Sequence, residues 1–446
     1  MKNDLRGVLE RLDAAGALRR VSRRVSGAYE LPSLLKKTDG RVPICFEQVD
    51  DYACHMVAGL GGTRETLALA VGCRPDGIAE RLARAVVNPL PVRRIRSGPV
   101  HENVVTAPFD IDKLMPVLRY NERDGGRFLI SGVMVAKDIS GKRLYTSIRR
   151  MQYLGGSRCC LLVTSDEMKK QVRWYEKEHK PMELAIMFGV SPAVVLGSQI
   201  STYTYHADKL DITGALLGEH LEVVHCKTVD IDVLADAEVV LEGRLLPWVK
   251  ETEGPFGELG GYYGGVSSQP VIEFTAATYR DDPIAQTILA GSCEEKLPEA
   301  ISREVALMAA ISQTVPDVRA VNITMPGVGR FHAVIQIEKR SEGESKQALL
   351  AAFSSDKDLK HVVVVDTDVD IFNAAEVEWA IATRFQADID LVVIPGAMGS
   401  PLEPSHRLRG VSAKMGLDAT KPLKNSDFER THIPGEENID LRDYLD

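Results

Sequence analysis

The chain has 446 residues, 44% of them hydrophobic and 26% charged, with a formal net charge of −9. That length buries a large core without disulfide or metal staples and is read as two or three domains. The acidic balance argues against general nucleic-acid binding, which wants a basic face, so an anionic substrate needs a local positive pocket. Seven cysteines, an odd count without C-x-x-C spacing, argue against a disulfide framework or a zinc ribbon. The charged amino terminus lacks an apolar h-region, and no apolar run reaches bilayer length. A cytoplasmic protein with no membrane partner is expected.

Leu5, Val8, Leu9 and Leu12 recur at helical spacing, and Gly16 stands where a C-cap belongs. They open an α/β segment, 1–105. Arg93, Arg94 and Arg96 near its end read as a solvated face rather than a phosphate site. The next stretch, 106–294, reads as mostly β. Strands are expected over Phe128–Val135 and Leu144–Met151, flanking the turn signal Asp138-Ile-Ser-Gly-Lys142, and over Cys160–Val163, Leu184–Phe188, Val239–Leu246 and Val271–Thr278. A helix is expected over Glu167–Glu178. Many strands with turns between them fit a barrel.

Glu251-Thr-Glu-Gly-Pro-Phe-Gly-Glu258 puts two carboxylates, Glu253 and Glu258, on a backbone that Gly254, Pro255 and Gly257 keep from being helical. Such acids sit on a turn and can point into a cleft; a hydrated hairpin loop is the competing reading. Gly260, Gly261, Gly264 and Gly265 come next, with Tyr262 and Tyr263 between them, which allows close approach to a ligand and stacking on a flat ring. Beyond, 295–313 reads as one helix with Ala300, Ile301, Val305, Ala306 and Ala309 on its buried stripe. Strands near Val321, Val334–Ile337, Val362–Val365 and Leu391–Ile394 alternate with helices over Lys346–Phe353 and Glu376–Phe385 in α/β fashion. Asp366, Asp368 and Asp370 permit Mg²⁺ binding, but a helix-start region capped by Asn373 is the preferred reading. The final fifty residues carry little periodicity and read as an extended tail. Dinucleotide, Walker, H-E-x-x-H and G-x-S-x-G motifs are missing.

Ser147-Ile-Arg-Arg150, Thr213-Gly-Ala-Leu216, Glu253-Gly-Pro-Phe-Gly-Glu258, Asp370-Ile-Phe372 and Ser412-Ala-Lys-Met-Gly-Leu-Asp-Ala-Thr420 together resemble the UbiD family of prenylated-FMN-dependent reversible decarboxylases, over most of the chain. The resemblance implies an α+β/α/β multidomain fold. A central split β-barrel flavin-binding domain (106–294) would come after the N-terminal segment, then a linking helix (295–317) and a C-terminal α/β oligomerisation domain with an extended tail (318–446). It implies that Arg150, Glu253 and Glu258 form a catalytic Glu–Arg–Glu network. Ser147, Ile148, Arg149, Arg150, Glu167, Lys209 and Lys414 would bind the cofactor, Lys414 at its phosphate. Chemistry agrees with those roles. Decarboxylation at an sp² carbon needs an electron sink that only a cofactor offers. Arg150 orients the substrate carboxylate and holds Glu253, while Glu258 protonates the carbon.

A divalent metal, Mn²⁺, and K⁺ are also implied beside the cofactor phosphate. The three family ligand positions carry Tyr145, Glu167 and Lys209 here, and Tyr and Lys are poor ligands for a hard cation. Lys209 is therefore read as placing its ammonium where the metal would sit, paired with the phosphate and Glu167. Substrates in the family are aromatic, heteroaromatic or α,β-unsaturated acids. By analogy the helix start Glu294–Arg303 borders the pocket, where Lys296 or Arg303 would meet a second anionic group; solvated helix-start charges are the alternative. A flavin prenyltransferase as cofactor supplier and a homo-oligomer, dimer or hexamer, are the implied partners. Two other readings stay open: a catalytically silent subunit of a larger carboxylase, and a plain FMN oxidoreductase.

Overall fold

A computed structural model of the chain describes residues 2–201 and 207–444. The first helix, Leu5–Ala14, buries Leu5, Val8 and Leu12, and its amino end is capped by Asp4, whose carboxylate accepts from the Gly7 amide. It lies beside a four-stranded sheet ordered Arg19–Val21, Ile44–Phe46, Met56–Ala58 and Ala285–Gln286. The last of these strands comes from far along the chain and ties the opening segment to the barrel. Arg93 and Arg94 are exposed on a two-residue strand, paired with Glu222 and with Asp232.

Six antiparallel strands form the centre: Val239–Glu253, Met182–Phe188, Phe128–Lys137, Leu144–Gly155, Arg158–Leu161 and Ser267–Tyr279. Pairing of the first with the last closes them into a barrel, which leaves no bare edge in that ring. Its interior is a continuous apolar cluster including Phe128, Met151, Leu184, Leu241 and Phe274. The strand expected to stop at Leu246 instead runs on to Glu253. Pro247 cannot donate to a ladder, but the register shifts between Leu246 and Lys250, and a proline is tolerated in such an irregularity. The continuation matters, because it carries Glu253 to the end of a barrel strand. Cys159 and Cys160 are buried strand residues.

The helix Cys293–Ile311 leaves the barrel and enters the last sheet. Ala300, Ile301 and Val305 are buried as expected, but Ala309 is exposed, while Leu307 and Ile311 are fully covered. The helix serves two cores at once, which one stripe cannot describe. Leu297, Ile301 and Val305 pack on the helices of the N-terminal half; Ala300, Leu307 and Ile311 pack on the C-terminal sheet. That sheet is ordered Val318–Ile323, His332–Ile337, His361–Asp366, Val411–Asp418 and Leu391–Met398. The tail reading is corrected here: Val411–Asp418 lies between two other strands, parallel to one and antiparallel to the other. Past this strand, the described residues form no further strand or α-helix.

Candidate active site

Arg150 projects from the strand Leu144–Gly155 and Glu253 from the end of Val239–Glu253. The guanidinium grips Glu253 with two bonds, Nε to Oε1 at 2.9 Å and Nη2 to Oε2 at 3.3 Å. Its third nitrogen, Nη1, donates to Oε1 of Glu258 at 2.9 Å. The Phe256 ring lies against the guanidinium, 4.5 Å from centroid to Cζ. Glu253 is the buried member, its side chain 1% exposed against 24% for Glu258. Burial raises the Glu253 pKa, the Arg150 charge and hydrogen bond oppose that, and the Glu258 charge adds to it.

The loop that presents Glu258 is fixed by glycine. Gly254 has φ +89°, a region open to residues without Cβ. Its amide donates to Gln152 Oε1, Gly257 donates to Asp124, and Gly125 donates to the Pro255 carbonyl. Gly264 donates to the Phe256 carbonyl and brings its Cα against Glu258. The acids thus differ in setting: Glu253 ends a strand and only Glu258 sits on the loop. Tyr262 and Tyr263 do not stack in the cleft as expected. They stay 65% and 38% exposed, and Arg123 covers Tyr263. The glycines around them fold the loop back on Glu258 instead.

Arg150 and Glu258 border a cavity of about 250 Å³, and Glu253 is buried outside its lining. Ser147, Ile148, Arg149, Arg150 and Glu258 all line it. Its far wall is Glu294, Glu295 and Glu299 of the linking helix, within the Glu294–Arg303 stretch expected to border the pocket, together with Gln199, Thr164 and Arg330, which no motif marks. Glu294 accepts from the Gly59 and Gly61 amides, and Glu295 from the Gly291 amide. Burial pushes both carboxyls up to about 7. Glu299 is locked to Arg330 by bonds of 2.5 and 2.6 Å.

Arg303, expected to be free for a second substrate anion, is instead held by Glu299, Asp356 and Asp358 at 3.0, 2.6 and 2.9 Å. Three acids from two segments leave it no capacity for a ligand. Lys296 lies outside the cavity lining, packed beside Gly329.

A second cluster adjoins Arg149. Its Nη2 donates to the Tyr145 hydroxyl and, at 3.2 Å, to Ser165 Oγ, while its buried Nε has no partner. Lys209 is 8% exposed and donates to the Ser198 carbonyl at 2.7 Å. Burial first, and the Arg149 charge next, depress its ammonium to about 8, with Glu167 acting the other way. The structure therefore brings Tyr145, Arg149, Glu167 and Lys209 into one neighbourhood. Lys414 is not part of it. Its ammonium donates to the Lys357 and Leu359 carbonyls at 2.9 and 2.6 Å inside the C-terminal sheet region. A strand position facing a packed layer left it to satisfy the backbone rather than a phosphate.

The cations beside the cavity suit a flavin phosphate: Arg149 retains an orphaned donor and lies close enough to Lys209 for their charges to oppose each other. A divalent metal does not suit the donor set. Among the described residues, no group of three or more His, Cys, Asp or Glu side chains is arranged to hold one. Asp366 and Asp368 are occupied by Arg384 and Lys421, and Asn373 caps the helix Ala374–Arg384.

A sequence profile described as the 3-octaprenyl-4-hydroxybenzoate carboxy-lyase Rift-related domain matches residues 93–293. Profiles of the N-terminal and C-terminal domains of the same carboxy-lyase match 9–86 and 299–419. The anhydromevalonate phosphate decarboxylase of Methanothermobacter thermautotrophicus is 34% identical, over 92% of this chain and 96% of its own. The structure of the UbiD-class enzyme HmfF from Pelotomaculum thermopropionicum in complex with FMN superposes with a TM-score of 0.96, at 43% identity, covering 99% of this chain and 100% of that one. An evolved dimeric form of HmfF in complex with prFMN gives a TM-score of 0.92 at 40% identity, covering 100% of both chains.

Proposed function

Because this chain belongs to the UbiD family and is a carboxy-lyase, we propose that it catalyses the non-oxidative, reversible decarboxylation of an aromatic, heteroaromatic or α,β-unsaturated carboxylic acid at the 250 Å³ cavity. The observation that carries this reading is the three-way contact of Arg150 with Glu253 and Glu258 at the cavity wall.

Ser147, Ile148, Arg149 and Lys209 would hold prenylated FMN, which supplies when bound the electron sink that no side chain offers. Arg150 receives the substrate carboxylate on its Nη1 edge, where Glu258 now sits, and Glu253 keeps the guanidinium planar to the site through its paired bonds. The bond to CO₂ then breaks, its electron pair stays with the carbon, and Glu258 delivers the proton that completes the new C–H bond. HmfF binds FMN and prFMN in its structures, which supports the cofactor assignment.

A flavin prenyltransferase would supply the cofactor. Self-association is part of the same reading. The edge strand Leu391–Met398 leaves Val393 57% and Met398 68% exposed, a face suited to a second copy. No described helix is long and apolar enough to cross a membrane.

The test is co-expression with a flavin prenyltransferase. Mass spectrometry of the native protein then reports cofactor and assembly, and a panel of unsaturated acids is assayed for CO₂ release and for exchange with ¹³C-bicarbonate. Turnover of at least one acid by the prenylated form supports the proposal. A fully loaded protein that turns over none, and exchanges none, would favour the silent-subunit reading.

A further inference from the structure

We infer that the flavin phosphate is bound here by a metal-free cationic seat made by Lys209 and Arg149, the lysine ammonium standing in for a divalent ion. The inference rests on the flavin reading of the cavity and goes beyond it, since it assigns the chemistry of one end of that site.

Lys209 opens the helix Lys209–Leu217 and is more than nine-tenths buried. One of its three N–H bonds goes to a neutral partner, the Ser198 carbonyl. Arg149 likewise meets neutral oxygens, the Tyr145 and Ser165 hydroxyls, and its buried Nε has no partner at all. The two cations are close enough to repel each other, and Glu167 is the acid that acts against that repulsion. Among the described residues, the charges that act on Lys209 are one further cation and one carboxylate, so about one positive charge is uncompensated there, where such charge is costly. A phosphate monoester, carrying about −1.5 to −2 at neutral pH, cancels it and accepts from the free donors of both.

A hard divalent cation finds the opposite. It would need oxygen ligands where a lysine and a tyrosine stand, and it would add positive charge beside the Lys209 and Arg149 cations. Ser147 and Ile148, beside Arg149 on the same strand, line the cavity, so the seat is continuous with the space for the ring system. Lysine binds phosphate as a point charge and arginine as a fork, a division of labour that needs no metal bridge.

The experiment uses the full-length protein stripped of flavin and dialysed against EDTA. FMN and riboflavin, which differ by the phosphate, are titrated separately by flavin fluorescence, with and without MnCl₂, and metal content is measured by elemental analysis. FMN is expected to bind at least about tenfold more tightly than riboflavin in EDTA, a charge-assisted contact of about 1.4 kcal/mol or more. Added Mn²⁺ should leave that ratio unchanged. Lys209→Met should reduce the preference for FMN to within about threefold while leaving riboflavin affinity intact, and Lys209→Arg should retain most of it. FMN binding that disappears in EDTA and returns with stoichiometric Mn²⁺ would overturn the seat while keeping the flavin site. An unchanged preference in a folded Lys209→Met protein would do the same. If neither flavin binds under any condition, the flavin reading itself falls, and this inference with it.

Discussion

Replacing Arg150 with alanine tests the centre of the site through stability as well as rate. Glu253 is buried, and among the described residues Arg150 supplies both donors to its carboxylate. Deleting one partner of such a pair strands a charge without water or donors, which costs about 3–5 kcal/mol while the acid stays ionised. The acid can escape by taking up a proton. Its pKa is already raised by burial, and losing the guanidinium removes the influence that opposed this. The folded state of the variant therefore binds a proton that the unfolded chain has lost, from about pH 4.5 upward. A folded pKa above the unfolded one means that the relative stability is complete at low pH and falls as pH rises through the window between them. The melting temperature of Arg150→Ala should thus approach wild type near pH 5 and fall short by roughly 6–20 °C at pH 8, at about 2–4 °C per kcal/mol for a barrel-sized unit. Differential scanning calorimetry of the flavin-free protein at both pH values measures it. The double variant Arg150→Met, Glu253→Gln carries neither charge and should recover most of the loss. A deficit equal at both pH values, or no deficit at pH 8, would refute the picture of a buried carboxylate held by Arg150.

Glu258→Gln should cost at least about 100-fold in turnover, the usual scale of a lost general acid, while its melting temperature and flavin affinity stay near wild type, as scanned by calorimetry and fluorescence. Gly264→Ala puts a Cβ 2.3 Å from the Glu258 carboxylate oxygen, a flexible tip that can swing away, so activity should drop with little change in unfolding. Gly125→Ala meets the Gly254 carbonyl, fixed backbone, at 2.1 Å, so the protein should melt lower or fail to accumulate, as seen in soluble yield. Arg303→Met leaves Glu299 and Asp358 to share Arg330 alone and takes the arginine from Asp356. Urea denaturation should then show a loss of about 3–5 kcal/mol at neutral pH, and a smaller one at pH 5.

Much of the barrel was legible because its strands are long, apolar and separated by turn signals such as Asp138-Ile-Ser-Gly-Lys142, whose Asp138 carboxylate accepts from the Lys142 and Arg143 amides. Two features were hidden. Pro247 reads as a strand end, yet a register shift absorbs it. Val411–Asp418 has a lysine and a glycine in its middle and so resembles a loop, yet Lys414 is 3% exposed with its charge turned onto backbone carbonyls. Local pattern describes one neighbour at a time, and this strand has two.

The same distinction divides the site. Glu258 announces itself because the backbone that aims it is written locally, in Gly254, Pro255 and Gly257, while Glu253 beside it is aimed by the end of the strand Val239–Glu253. Arg303 misleads because its partners, Asp356 and Asp358, lie 53 and 55 residues away; a cation on a helix start reads as available until the acids that claim it are seen. Glu295 reads from the sequence only as one of the helix-start charges that border the pocket or are solvated, whereas here it accepts from the Gly291 amide while lining the cavity. Motifs report the groups that act, and burial decides which groups remain free to act. Lys209 shows how far the two can diverge: the family resemblance marks its position as that of a metal ligand, whereas its near-complete burial beside a second cation is the ground on which we propose an anion as its partner.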